Sequence, residues 1–163
     1  VFAFGGMCPM AEGRCSLSSY ITGKSPNMNG VCSPASHVSY VPQGSELSTN
    51  LAGFTINKFS THEQAGYPTL CKGRFSAGGD AGYLFEEPTS LNVTHILPEL
   101  IEAGVSALKI EGRQRSKAYV REVVQNFRKA IDAAERGERL VMEMDNLSEG
   151  GQNTTGAYNK KWM

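Results

Sequence analysis

Apolar positions recur with helical spacing in the last third of the chain and with strand-like spacing in its middle. Over residues 116–136, Val120, Val123, Val124, Phe127, Ile131 and Ala134 fall on one face of a helix. Ser116 offers an N-cap oxygen and Gly137 a stop, so this stretch predicts the longest helix of the chain. Residues 107–110 predict a short strand that ends at Glu111-Gly112-Arg113. Residues 92–103 predict a further helix, with Pro98 close to its start or marking a break and Gly104 as its C-terminal cap. Helix, strand, helix in that order predicts α/β packing.

In the middle, residues 38–41, 53–59, 69–75 and 83–85 read as short strands broken by Gly-rich turns such as 77–82, which predicts a small antiparallel elaboration. Residues 8–36 are rich in Gly, Ser, Pro and Asn, carry one helical stretch at 14–21, and have little periodicity with which to fold alone. The opening Val1-Phe2-Ala3-Phe4 reads as a buried strand running into the Gly5-Gly6 turn. It begins without methionine, as the interior of a longer protein would. The two best parallel-strand candidates, 1–5 and 107–110, need neighbours on both sides and helices over both faces.

The expected fold is therefore α/β: the C-terminal part of a TIM-barrel-like domain with a cysteine-rich, partly β insertion. Residues 1–6 would be a late barrel strand, 7–90 the insertion, 91–137 the helix-strand-helix completing the barrel, and 138–163 a tail, with the N-terminal barrel half absent. In a barrel, the insertion and the 111–113 segment would both leave strand C-termini, the face on which barrel enzymes place their sites.

Composition narrows the class. A chain of 163 residues with 40% hydrophobic and 20% charged content is that of a globular protein with a sizeable core, not a disordered one. Sixteen basic and sixteen acidic side chains cancel, so net charge gives no drive towards nucleic acid or an anionic membrane. No apolar run approaches the ~20 residues of a membrane helix, and the N-terminus lacks the basic-then-apolar pattern of a secretion signal. The expected compartment is the cytoplasm.

Cys8, Cys15, Cys32 and Cys71 carry the sharpest chemical signal. Glycines lie near each of them, and Arg14, Lys72 and Arg74 place positive charge beside two, which favours the thiolate. Four thiolates are the usual complement of a 4Fe-4S or 2Fe-2S cluster. Structural zinc also takes four, although the intervening 6, 16 and 38 residues lack a C-x-x-C knuckle. Two disulfides, or buried inert thiols, stay open on spacing alone.

Near residue 110 the charge is uneven. Lys109, Arg113, Arg115, Lys117 and Arg121 face only Glu111, so Glu111, Arg113 and Arg115 are candidate substrate residues for an anionic small molecule. A solvated helix start, or a structural pairing of Glu111 with either arginine, explains the same run. His37, His62 and His95 are scattered without metal-site spacing. No G-x-S-x-G, H-E-x-x-H or phosphate loop is present, so no catalytic residue is assigned.

Four runs carry a resemblance: FAFGGMCPMAEGRCSLSSYITGKSPNMNGVCSPA, AGYPTLCKGRF, EEPTSLN and LKIEGRQRSKAYV, with the tail GAYNKKW. Together they resemble the ubiquinone-biosynthesis branch of the collagenase-like peptidase family U32. The resemblance implies that Cys8, Cys15, Cys32 and Cys71 ligate a 4Fe-4S cluster, that an N-terminal barrel portion precedes Val1, and that the protein forms a heterodimer with a UbiV-like sister protein. It implies an oxidoreductase role, not a peptidase one, in oxygen-independent hydroxylation of the ubiquinone precursor ring, with prephenate as hydroxyl donor. Relatives that hydroxylate tRNA or rRNA typically show a second cysteine just after the third ligand; here Cys32-Ser33-Pro34-Ala35 has none, which favours the quinone branch. The alternatives are a prephenate-dependent RNA hydroxylase and a non-catalytic scaffold subunit with a structural cluster.

Overall fold

The structure is a computed structural model and describes residues 1–10 and 14–159. The chain opens on strand β1 (Phe2–Gly6), leaves it at Met7, and returns at Pro88. The excursion Cys8–Glu87 is one compact unit; Val1–Met7 with Pro88–Met163 is the other.

Within the excursion, helix α1 (Ser16–Thr22) ends at Gly23 and the single-turn α2 (Pro26–Asn29) ends at Gly30. Strands β2 (Val38–Gln43), β3 (Glu46–Leu51) and β4 (Phe54–Ser60) then form an antiparallel sheet in that order. Leu51, Ile56 and Phe59 are buried on it. A 3-10 turn (Leu70–Lys72) precedes the hairpin β5 (Arg74–Ala77) and β6 (Asp80–Tyr83). Gly78 and Gly79 make its two-residue turn with φ of 63° and 98°, the left-handed pair that a tight hairpin requires. The expected strand over 69–75 is thus divided: its first half is the 3-10 turn, and only Arg74 onward is extended.

The second unit holds a four-stranded mixed sheet of order β8-β1-β7-β9, with β7 at Ser90–Asn92, β8 at Lys109–Ile110 and β9 at Asn153–Thr154. β8 runs parallel to β1, and β7 runs antiparallel to it, pairing Phe4 with Asn92. This is α/β packing, but no closed barrel forms among the described residues. An all-parallel arrangement is excluded around β1 because the chain re-enters directly beside the strand it left, with Met7 N–H donating to the Thr89 carbonyl at 3.0 Å. Two chain segments that meet at such a neck run in opposite directions.

Helix α3 (Leu97–Glu102) is shorter than residues 92–103 predicted. Pro98 lacks an amide hydrogen and fits only the first turn, so the helix starts there and the residues before it form β7 and a 3-10 turn. Helix α4 (Lys117–Glu135) forms where predicted, with the Ser116 hydroxyl accepting from Tyr119 N–H at 3.1 Å, but its buried line is shifted: Val123 and Phe127 of the expected face are buried with Ala130 and Ala133, whereas Val120 and Val124 are exposed. Its face meets Phe4, whose ring lies edge-on to Phe127 at 6.1 Å. Ala3, Leu91, Val93, Leu97, Leu100 and Met144 complete this core, and each large apolar side chain buried there stabilises the fold by about 1.5–3 kcal/mol. A final turn, α5, spans Gly156–Asn159.

Candidate metal centre

All four cysteines belong to the Cys8–Glu87 unit, and all four are free thiols. Cys15 is the N-cap of α1, where its sulfur accepts a hydrogen bond from Ser18 N–H at 3.3 Å. The same serine donates through its hydroxyl to the Cys32 carbonyl, so one residue of α1 steadies two of the four positions. Beyond Cys32, Ser33 is buried and places its hydroxyl 4.0 Å from the Cys32 sulfur. Its carbonyl accepts from the Tyr67 hydroxyl at 2.9 Å, which ties the segment before Cys71 to the segment after Cys32. Cys71 is buried in the 3-10 turn, whose neighbour is α1. Cys8 is exposed, with its sulfur 3.7 Å from the Met10 carbonyl.

The electrostatics report the same convergence. Burial pushes the Cys71 thiol up to about 12; the Lys72 charge opposes this, and Cys32, Cys8 and Cys15 reinforce it. Cys32 is also raised, first by burial, against the Ser33 hydroxyl and a backbone hydrogen bond, with Cys15 and Cys8 adding to the rise. Cys71 therefore senses the other three thiols, and Cys32 senses Cys15 and Cys8. Among the described residues no three His, Cys, Asp or Glu side chains gather closely enough to hold a single metal ion.

These residues fit a thiolate-bound iron-sulfur core. The four donors are soft sulfurs, and a backbone N–H already points at one of them. A cuboidal core also holds its four thiolates further apart than one ion does.

The other candidate residues lie in the second unit, after β8. Arg115 is held by Glu149 at 2.7 Å and Glu111 at 3.8 Å, and its guanidinium lies 5.2 Å from the centre of the Tyr119 ring. Burial pushes the Tyr119 hydroxyl up, the Arg115 charge opposes it, and Glu111 and Glu149 reinforce it. The charge imbalance read along residues 109–121 is thus reduced in space. Glu149 supplies a carboxylate from 34 residues downstream, and Lys109 lies over the Phe2 ring at 4.6 Å. No local pattern marked Glu149, because the turn that carries it has no periodicity to read. Arg113 is exposed. His37 shares a 3.0 Å hydrogen bond with the Ser36 hydroxyl.

A profile described as peptidase family U32 matches residues 1–162. The chain belongs to peptidase family U32. Among curated U32-like relatives, the tRNA hydroxylation protein P of Haemophilus influenzae is 30% identical, over 93% of this chain and 38% of its own length. The tRNA hydroxylation protein P1 of Bacillus subtilis is 30% identical, over 91% of this chain and 30% of its own. The tRNA hydroxylation protein P of Escherichia coli is 31% identical, over 92% and 37%. The chain therefore spans about a third of the length of the relatives it matches. No solved structure matches it. Among the described residues no helix is long and apolar enough to cross a membrane.

Proposed function

We propose that this U32 chain is the cluster-bearing part of a UbiU-like oxidoreductase component. In this reading it acts with a UbiV-like sister protein in the oxygen-independent hydroxylation of the ubiquinone precursor ring, in the cytoplasm. The observation that carries the reading is the convergence of Cys8, Cys15, Cys32 and Cys71, with no fifth cysteine after Cys32. Ser33 holds the adjacent position, buried, with its hydroxyl turned to the Cys32 sulfur. The four cysteines would hold a 4Fe-4S cluster, which when bound supplies one-electron redox chemistry. Ser18 orients the Cys15 and Cys32 segments, and Tyr67 fixes the chain after Cys32. Prephenate is the hydroxyl donor in this reading, and its carboxylates suit an arginine-rich loop such as the one containing Arg113 and Arg115. In this reading only the parallel pair β1 and β8 would belong to a TIM-barrel-like domain, with β7 antiparallel beside it.

Charge supports the quinone ring over RNA. The Cys8–Glu87 unit contains five basic residues (Arg14, Lys24, Lys58, Lys72, Arg74) against six acidic ones (Glu12, Glu46, Glu63, Asp80, Glu86, Glu87), a net of −1. A surface that tracks a phosphate backbone carries a basic excess. The names of the relatives favour a second reading, tRNA hydroxylation. Deletion of the gene separates the two. In anaerobically grown cells the quinone reading expects an under-hydroxylated quinone precursor in lipid extracts and unchanged tRNA nucleosides; the opposite pattern selects the RNA reading.

A further inference from the structure

Helix α4 carries more apolar surface than the described residues cover. Val123 and Phe127 are buried in the core, whereas Val120 and Val124 of the same stripe are 38% and 47% exposed. Val124 and Ile131 line a groove of about 530 Å³ together with Leu100 and Ile101 of α3 and Leu108 and Ile110 of β8. Ile101 is also exposed, at 43%. A stripe of this kind is normally buried against a neighbouring element.

The backbone beside the groove is open as well. β8 is an edge of the four-stranded sheet, with β1 as its one neighbour among the described residues. Lys109 N–H donates to the Val1 carbonyl at 2.7 Å, and Glu111 N–H to the Phe4 carbonyl at 2.8 Å. Backbone groups alternate sides along a strand, so those of Leu108 and Ile110 point away from β1. Both residues are half-buried, and no backbone partner for them lies among the described residues. The opposite edge differs: β9 is polar, and the Asn153 side chain bonds to Ser148 and Asp145.

We propose that the β8 edge and the groove between α3 and α4 form a docking surface for an extended strand of the same polypeptide, from outside these 163 residues. The open N–H and C=O groups specify a strand, because an apolar small molecule or a helix would leave them unpaired. A strand added to a sheet edge satisfies them and turns its alternate side chains into the apolar groove. Length points to the same polypeptide. The relatives match this chain over 38%, 30% and 37% of their own length, so a polypeptide of their size has about two thirds left to supply the strand. A second copy meeting this edge would pair only the two residues of β8 on each side, a small share of the ~1,200 Å² that a stable interface buries. The inference depends on neither the cluster nor the substrate.

The test is hydrogen-deuterium exchange of the purified full-length protein, resolved to single amides over residues 108–111. Lys109 and Glu111 are the internal control, since their N–H groups are already bonded to β1. A docked strand predicts that Leu108 and Ile110 exchange within tenfold of Lys109 and Glu111, corrected for intrinsic rates, at two protein concentrations tenfold apart. Exchange at Leu108 and Ile110 more than tenfold faster than at their neighbours overturns the proposal. So does protection that is lost on dilution, which would make a second copy the occupant. Photo-cross-linking through Ile101→p-benzoylphenylalanine then names the segment: an intramolecular link to a peptide outside residues 1–163 is expected, and a link between two chains overturns the proposal.

Discussion

The Tyr67 hydroxyl donates a 2.9 Å hydrogen bond to the Ser33 carbonyl, joining chain segments 34 residues apart. The bond lies between the third and fourth cysteines in sequence, so it closes the loop that brings Cys71 back towards Cys32. Tyr67→Phe removes one hydrogen bond and little volume. It should cost about 0.5–1.5 kcal/mol of stability and speed the bleaching of visible absorbance when the loaded protein meets a chelator. An unchanged bleaching rate would show that the bond does not hold the ligand segments together.

Asn57 serves the turn itself, because its side chain satisfies a backbone carbonyl at Lys72 and a backbone N–H at Arg74. Asn57→Leu leaves both groups unpaired in a buried place. A loss of about 2–4 kcal/mol in urea unfolding is expected from two unsatisfied groups, with iron content falling in parallel.

In the second unit, Gly5 has φ of +144°, and a Cβ there would stand 2.4 Å from the Glu111 Cβ. Both strain and clash oppose any side chain. Gly5→Ala should destabilise by about 2–4 kcal/mol. Gly6→Ala meets the Glu149 carboxylate at 2.5 Å, a group at the far end of a side chain that can yield by loosening its contact with Arg115. The prediction is a smaller loss for Gly6→Ala, measured by thermal unfolding of the two variants side by side.

A stabilising change is also expected. The hydroxyl of Thr49 in β3 is buried and has no hydrogen-bond partner among the described residues. Thr49→Val keeps the shape and removes the unpaired polar atom, so the urea midpoint should rise by the equivalent of about 1 kcal/mol.

Legibility in the sequence followed the strength of the local signals. Helix α4 was readable to within a residue because Ser116, the apolar stripe and Gly137 agree. The parallel pairing of β1 with β8 was also within reach, since both are short apolar runs. Strand β3 was not: Glu-Leu-Ser-Thr-Asn-Leu is mostly polar, and it is a strand because its neighbours β2 and β4 satisfy its backbone on both edges. Strand β7 was hidden by the helical promise of the residues after it, although Pro98 lets that helix begin only at Leu97. For the candidate site, the cysteines announced themselves by type. Their partners Ser18, Tyr67 and Asn57 did not, because a hydroxyl or amide that bonds to backbone at a distance leaves no periodic trace. Glu149 was silent for the same reason.

The central claim is that Cys8, Cys15, Cys32 and Cys71 hold one iron-sulfur cluster. Its most direct test is the metal and acid-labile sulfide content of the full-length protein purified without oxygen, alongside Cys71→Ser. The account predicts about four iron and about four sulfide per chain, with a marked loss of both in the variant. Zinc without acid-labile sulfide, or sulfide content unaffected by Cys71→Ser, would contradict it.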